Sequence, residues 1–291
     1  MYAEPFDYRR AESVTEAIDL LESTDDGRLL AGGQALIPLL KKRTATPGTL
    51  IDIGGIDDMR GIQRTDAGVR IGALSTHRDI TGSALLEGVV PVLPAAVAKI
   101  SGGIQVHNVA TIGGNIVRAH PAYDYAGALL AAEACINIAG PDGDRQASAG
   151  EFFSGVCSTC LDETEVVTGV EIEGVDGERF GGYAKRKEPA SGGAVLGVAT
   201  DLLLNGGDHE RVVSARIAAN GLCGSAVRLR AAEGVLTGRE LTDETVQAAA
   251  DAAGDEVKTE AVLDNKKASA EYRRTLLGPY VRRSVGKAVD G

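Results

Sequence analysis

Residues Leu29 to Arg43 read LLAGGQALIPLLKKR, and the residues on either side of the glycine pair decide the fold. Arg28 to Ala31 has the short apolar character of a strand, and Gly32-Gly33 marks the turn that ends it. Beyond the turn, Leu36, Ile37, Leu39 and Leu40 predict a short helix. Pro38 falls in its first turn, where no N–H is needed. Lys41, Lys42 and Arg43 suit the negative end of the helix dipole. A bend needs only one flexible residue. Two glycines strip Cβ atoms from consecutive amides and let an anion come within hydrogen-bonding range.

Working outward, Ser13 opens a helix: Ser13 and Glu16 form a capping-box pattern, and Val14, Ala17, Ile18 and Leu21 repeat on one face. Gly27 closes it. The start therefore reads helix, strand, Gly-Gly turn, helix. Leu50 to Ile53 and Val69 to Leu74 read as strands, and Leu93 to Ile100 as a helix. The segment SGGIQVHNVATIGGNIV, Ser101 to Val117, holds two glycine pairs and shows little helical period. Tyr125 to Ala132 predicts a helix of small residues; Ile136 to Ala139, a PDG turn at Pro141, and Val166 to Ile172 continue a mixed pattern.

A boundary falls near Gly174 to Gly182, where glycine and charge replace apolar period. Past it, Ala194 to Leu204 and Val212 to Ala219 read as strands joined by an NGGD turn at Asn205. Thr242 to Ala253 and Glu271 to Val285 read as helices. Strands followed by helices make this second domain α+β.

Composition narrows the function. A 291-residue chain with 44% hydrophobic and 24% charged residues is long enough for two domains with a sizeable core. A net charge of −11 argues against general nucleic-acid binding, which needs clustered Lys and Arg. No apolar run is long enough for a membrane span. MYAEPFDYRR lacks the apolar core of a signal peptide, which predicts a cytoplasmic chain.

The four cysteines include one CxxC pair, Cys157 and Cys160, with no second pair to complete a zinc or iron–sulfur site. No metal site is therefore expected in this chain, and no catalytic acid–base residue is proposed in it. The histidines (His77, His107, His120, His209) are scattered and read as solvated or internally satisfied. GxxxxGK[ST], GxGxxG before a long helix, and GxSxG are all absent, which disfavours a P-loop, a Rossmann domain and an α/β-hydrolase elbow.

The remaining constellation is AGGQ at Ala31, Gly32, Gly33 and Gln34, together with TIGGN at Thr111, Ile112, Gly113, Gly114 and Asn115. Two Gly-Gly turns after short apolar segments supply backbone donors for a pyrophosphate. Gln34, Thr111 and Asn115 add side-chain donors, and the helix after Gly33 adds its N-terminal dipole.

With FDYRRAESVTEAIDLL, LIDIGGIDDMRGI, IGALSTHRDI, QVHNVATIGGNIVRAHPAYD, EFF at Glu151 and EYRRTLLGPYVRR in colinear order, the chain resembles the FAD-binding medium subunit of the molybdenum hydroxylases, the carbon monoxide dehydrogenase and xanthine dehydrogenase group. The resemblance implies an α+β protein. A two-part FAD-binding domain of the vanillyl-alcohol oxidase type would span 1–175, with subdomains of about 1–55 and 56–175, and a flavoprotein C-terminal domain would span 179–285. It implies that AGGQ and TIGGN hold the FAD pyrophosphate, that Asp124 accepts hydrogen bonds from FAD hydroxyls, and that Lys185, within the run Lys185-Arg186-Lys187, sits against the flavin and stabilises negative charge on reduction.

The family pattern is broken at Ala35, which replaces a hydroxyl residue and predicts weaker binding, and at His107, which replaces an arginine. The resemblance further implies an electron-transfer role. Partners would be a molybdopterin-binding large subunit and a [2Fe–2S] small subunit in a heterohexameric complex, and an external acceptor would take the electrons from FAD. Two other readings are a self-contained flavin oxidase of the vanillyl-alcohol type and a nucleotide-binding module without redox use.

Overall fold

The computed structural model describes residues 2–175, 177–205 and 211–290. The chain begins with a parallel sheet in the order β1-β3-β2, built from β1 (Asp7–Arg10), β2 (Gly27–Leu30) and β3 (Thr49–Asp52). Parallel neighbours need crossovers, and α1 (Val14–Glu22) and α2 (Leu36–Lys41) provide them. The Ser13 hydroxyl accepts the Glu16 amide at 3.1 Å, and Ala17, Ile18 and Leu21 are buried, as the periodicity predicts. The predicted capping box is only half formed. The Glu16 carboxylate takes the Glu12 amide, at 2.7 Å, and leaves that of Ser13. The helix ends at Glu22, capped by Ser23, and Gly27 opens the next strand instead of closing the helix.

A five-stranded antiparallel sheet follows in the order β4-β5-β10-β6-β7: β4 (Ile62–Thr65), β5 (Gly68–Gly72), β6 (Cys135–Gly140), β7 (Gly143–Ser148) and β10 (Val166–Glu173). The two-residue turn Pro141-Asp142 joins β6 to β7, with Gly140 facing Gly143. A small hairpin of β8 (Phe153–Gly155) and β9 (Ser158–Thr159) lies apart from this sheet. Between β5 and β6 run α3 (His77–Thr81), α4 (Ala84–Val89), α5 (Val92–Val97), α6 (Gly103–His107), α7 (Ile112–Arg118) and α8 (Tyr125–Ala131), and α9 (Ala149–Phe152) follows β7.

Residues 101–117 thus contain two helices where the sequence shows little helical period. The reason is physical: α6 buries none of its residues, and α7 buries Ile112, Ile116 and a glycine, Gly113. A face made of glycine and exposed residues carries no apolar stripe. The second Gly-Gly is accordingly the first turn of a helix rather than a free turn.

The remainder is a four-stranded antiparallel sheet, β11 (Glu178–Lys187), β12 (Ala194–Asn205), β13 (Arg211–Asn220) and β14 (Val227–Arg228), packed under α10 (Arg230–Leu236), α11 (Asp243–Glu256) and α12 (Ala270–Asp290). The NGGD turn and His209 lie outside the described residues. The stretch 174–182, rich in glycine and charge, includes the start of β11 at Glu178. Its glycines serve close packing: a Cβ on Gly181 would meet the Val92 amide nitrogen at 2.0 Å, and one on Gly182 the Ser284 carbonyl at 2.1 Å.

Tyr183, Ala199 and Ala218 of this last sheet belong to the core that the first two sheets share. Arg179 adds polar stitches. Its guanidinium forks onto Asp201 at 2.7 and 2.9 Å and donates to the Val89 carbonyl at 3.1 Å. Glu133, just after α8, is held by Arg216 at 2.9 Å and Arg228 at 3.0 Å.

Candidate functional site

A cleft of about 1150 Å³ runs between the loop after β2, the start of α7, the segment before α8, and β11. Of the twelve predicted site residues, eleven line it: Ala31, Gly32, Gly33, Gln34 and Ala35 on one side, Thr111, Gly113, Gly114 and Asn115 on another, and Asp124 and Lys185 at the base. Ile112 does not. Its side chain is fully buried in the core.

Gly32 rests on the backbone of the segment before α7, so close that a Cβ would stand 2.0 Å from the Val109 carbonyl oxygen. Gly33 adopts a φ of 67°, in the left-handed region that glycine tolerates. This geometry leaves the amides of Gly32, Gly33 and Gln34 without a protein acceptor among the described residues. The second glycine pair behaves otherwise. The Gly113 amide donates to the Ala73 carbonyl at 2.8 Å, and the Gly114 amide to the Thr111 hydroxyl at 3.2 Å. A Cβ on Gly113 would lie 2.8 Å from Ala73 atoms. The first pair therefore offers free donors, while the second lets α7 pack flush on β5 and its following loop.

α2 begins at Leu36, two residues past the loop, and spans six residues. Loop amides, and not a long helix dipole, are the donors here. The Asn115 side-chain oxygen is buried at the cleft and has no hydrogen-bond partner among the described residues. A buried polar atom of that kind calls for a partner from outside the chain.

At the base, Lys185 Nζ lies 2.6 Å from Asp124 Oδ2 and 3.1 Å from the Lys99 carbonyl. The Tyr183 hydroxyl donates to Asp124 Oδ1 at 2.6 Å and sits 2.9 Å from the Asn220 side-chain oxygen. Burial pushes the Asp124 carboxyl above its usual range, and the Lys185 charge opposes that rise. Burial also drives the Tyr183 hydroxyl well above its ordinary value. Of the three adjacent cations, Lys185 lines the cleft, while Arg186 turns to the Tyr272 hydroxyl at 3.2 Å. Because alternate residues of a strand share a face, Tyr183 and Lys185 point the same way. Reading 178–187 as a strand would have found Tyr183.

His77, which the sequence reads as a satisfied histidine, also lines the cleft. It is 1% exposed, and its Nδ1 lies 2.9 Å from the Tyr125 hydroxyl. Burial, with the neighbouring His107 next, lowers its pKa to about 4. His107 places Nε2 3.0 Å from the Ile100 carbonyl and so fastens the loop before α6. Cys157 borders the cleft, and Cys160 Sγ lies 3.9 Å from an Arg145 Nη1 atom; neither is in a disulfide.

Free amides and a buried lysine supply donors, and the unpartnered Asn115 oxygen supplies an acceptor, a set that fits the phosphates and hydroxyls of a dinucleotide. Comparison with known proteins agrees. Residues 4–172 match the model of the FAD binding domain in molybdopterin dehydrogenase, and residues 182–288 that of the CO dehydrogenase flavoprotein C-terminal domain. The chain is similar to the carbon monoxide dehydrogenase medium chain of Hydrogenophaga pseudoflava, 34% identical over 97% of this chain and 96% of that one. It is 33% identical to the glyceraldehyde dehydrogenase medium chain of Sulfolobus acidocaldarius, over 95% and 96% of the two chains. Among solved structures, a Hydrogenophaga pseudoflava carbon monoxide dehydrogenase that lacks the Mo-pyranopterin moiety superposes with a TM-score of 0.91 at 34% identity, covering 100% of this chain and 99% of that chain.

Proposed function

Because the chain belongs to the FAD-binding medium subunits of the molybdenum hydroxylase family, we propose that it is the electron-transfer subunit of such a complex, standing between the iron–sulfur centres of a partner and an external acceptor. The partners in this reading are a molybdopterin-binding large subunit and a [2Fe–2S] small subunit, assembled as a heterohexamer in the cytoplasm. Among the described residues no helix is long and apolar enough to cross a membrane. Residues 1–175 serve as the FAD-binding domain and 179–285 as the C-terminal domain.

The observation that carries the reading is the convergence of unpaired donors from Gly32, Gly33 and Gln34 with the buried Lys185–Asp124 pair in one cleft. FAD, when bound, supplies the redox chemistry that the protein's own side chains lack. The chain's residues bind and orient. The loop amides of 32–34 would hold the diphosphate, with Thr111 and Asn115 lining the same cleft on the α7 side. Lys185 keeps a positive charge at the buried end of the cleft, held in place by Asp124 and the Lys99 carbonyl. Thr111 is already engaged as the cap of α7, so its contribution is to orient that turn.

The test is co-purification from the native host. The reading expects bound FAD, two partner subunits, and flavin that substrate bleaches only when those partners are present. A folded chain that takes up no FAD would defeat it. Turnover of an alcohol by the isolated chain would replace it with the self-contained oxidase.

A further inference from the structure

We infer that His77 is a hydrogen-bond donor to the bound dinucleotide, presenting its Nε2–H to the cleft in a tautomer that Tyr125 sets. This rests on the FAD-binding reading above and goes beyond it, since neither glycine motif contains His77.

His77 opens α3, whose preceding residue Thr76 forms a full capping box with Asp79. Its own amide donates to the Ala110 carbonyl at 3.0 Å, and Thr76 bridges to Thr111. The ring is thereby fixed beside Ala110, on whose Cα Gly32 also rests, so it lies beside the segment that carries both glycine motifs. It lines the cleft while being almost wholly buried.

The tautomer follows from counting protons. The Tyr125 side chain is fully buried, and among the described residues its hydroxyl meets only His77 Nδ1, at 2.9 Å. If Nδ1 carried the ring proton, it would donate to the phenol oxygen, and the phenol O–H would be left buried with no acceptor. Leaving that O–H desolvated and unpaired is the costlier arrangement, so the phenol donates and Nδ1 accepts. The neutral ring must then hold its proton on Nε2, and Nε2 has no acceptor among the described residues. Burial and the nearby His107 keep the ring neutral at physiological pH. His77 lines the cleft, and its Nε2 is not among the fully buried unpartnered atoms, so the Nε2–H is open to an acceptor oxygen on a ligand in the cleft. Both the diphosphate and the isoalloxazine carbonyls offer such an oxygen.

Imidazole ¹⁵N spectra of uniformly labelled protein, freed of flavin, test this without any turnover. The expected His77 pattern is an acceptor-type Nδ1 with a protonated Nε2, and FAD addition should shift the Nε2–H signal and slow its exchange with water. A response to ADP alone places the acceptor in the diphosphate; a response to riboflavin alone places it in the ring. Tyr125→Phe should turn the single tautomer into a mixture.

In parallel, His77→Gln, whose amide reproduces an Nε2–H, should keep the FAD dissociation constant, while His77→Phe raises it about tenfold, the effect of one lost hydrogen bond. FAD binding with an unmoved Nε2 signal, or a protonated Nδ1, would overturn the inference and leave FAD binding intact. Failure of the wild-type protein to bind FAD would remove both.

Discussion

Lys185 and Asp124 are 61 positions apart in the chain, yet Nζ and Oδ2 meet at 2.6 Å with both side chains about 5% exposed or less. Lys185 comes from β11 and Asp124 from the residue that precedes α8, so the pair closes the base of the cleft from two sides. Lys185→Met would leave the buried Asp124 carboxyl without its cation, supported by Tyr183 alone. Removing one partner of such a pair costs about 3–5 kcal/mol. The double variant Lys185→Met, Asp124→Asn should recover most of that loss in urea denaturation. Equal destabilisation by the single and double variants would show that packing, and not the charge, is what matters there.

Gly32 separates a free-amide loop from the Val109 carbonyl, with no room for a methyl group. Gly32→Ala should push the loop away and break its alignment with a diphosphate. Hydrogen bonds to a charged group are worth about 1.5–3 kcal/mol each, so the loss of FAD affinity should exceed about tenfold. Gly114→Ala is the comparison: its Cβ would meet only the Thr111 hydroxyl, at 3.1 Å. Flavin absorbance per mole of purified protein should fall much further for the first variant than for the second.

Ala35 has no side-chain hydrogen bond at the start of α2. Its φ of −92° and ψ of −43° are helical, which is not the extended geometry in which a serine caps well. Ala35→Ser should therefore act on the ligand rather than on the helix. One added hydrogen bond of about 1 kcal/mol would tighten FAD roughly fivefold while the melting temperature of the flavin-free protein stays put. Calorimetric titration of both proteins with FAD measures it.

His77 titrates at about 4 in the folded chain against an ordinary 6.5. Between those values the unfolded chain binds more protons, so stability declines as the pH drops from 6.5 toward 4. The slope from this one group is at most about 1.4 kcal/mol per pH unit. Above pH 6.5 the slope fades as the unfolded imidazole loses its proton too. In His77→Gln the extra acid sensitivity should vanish from urea melts taken at several values in this range. An unchanged slope would place the sensitivity elsewhere.

The sequence foretold the buried elements well. β5, β10, β12 and β13 all have at least one strand on each side, and their apolar runs announce them. β1, β4, β7 and β11 were not legible, and each is an edge strand. β1 is exposed throughout, and β4 and β7 nearly so, because a strand with water along one side and one face needs few apolar residues. α6 and α7 escaped notice for the related reason that glycine, not a branched side chain, forms the packed face of α7.

The sequence alone determined that two glycine motifs belong to one FAD-binding family, since residue type and order carry that resemblance without coordinates. It also determined where α1 and the long C-terminal helices run, because 3.6-residue periodicity and caps are local properties. Only the tertiary structure decided what each glycine does: Gly32 frees amides by seating on Val109, whereas Gly113 gives its amide to Ala73. Only it brought Lys185 to Asp124 and set His77 against Tyr125. Those are contacts across 61 and 48 positions, and a one-dimensional pattern holds no information on which distant donor will meet which acceptor until the sheets and helices have packed.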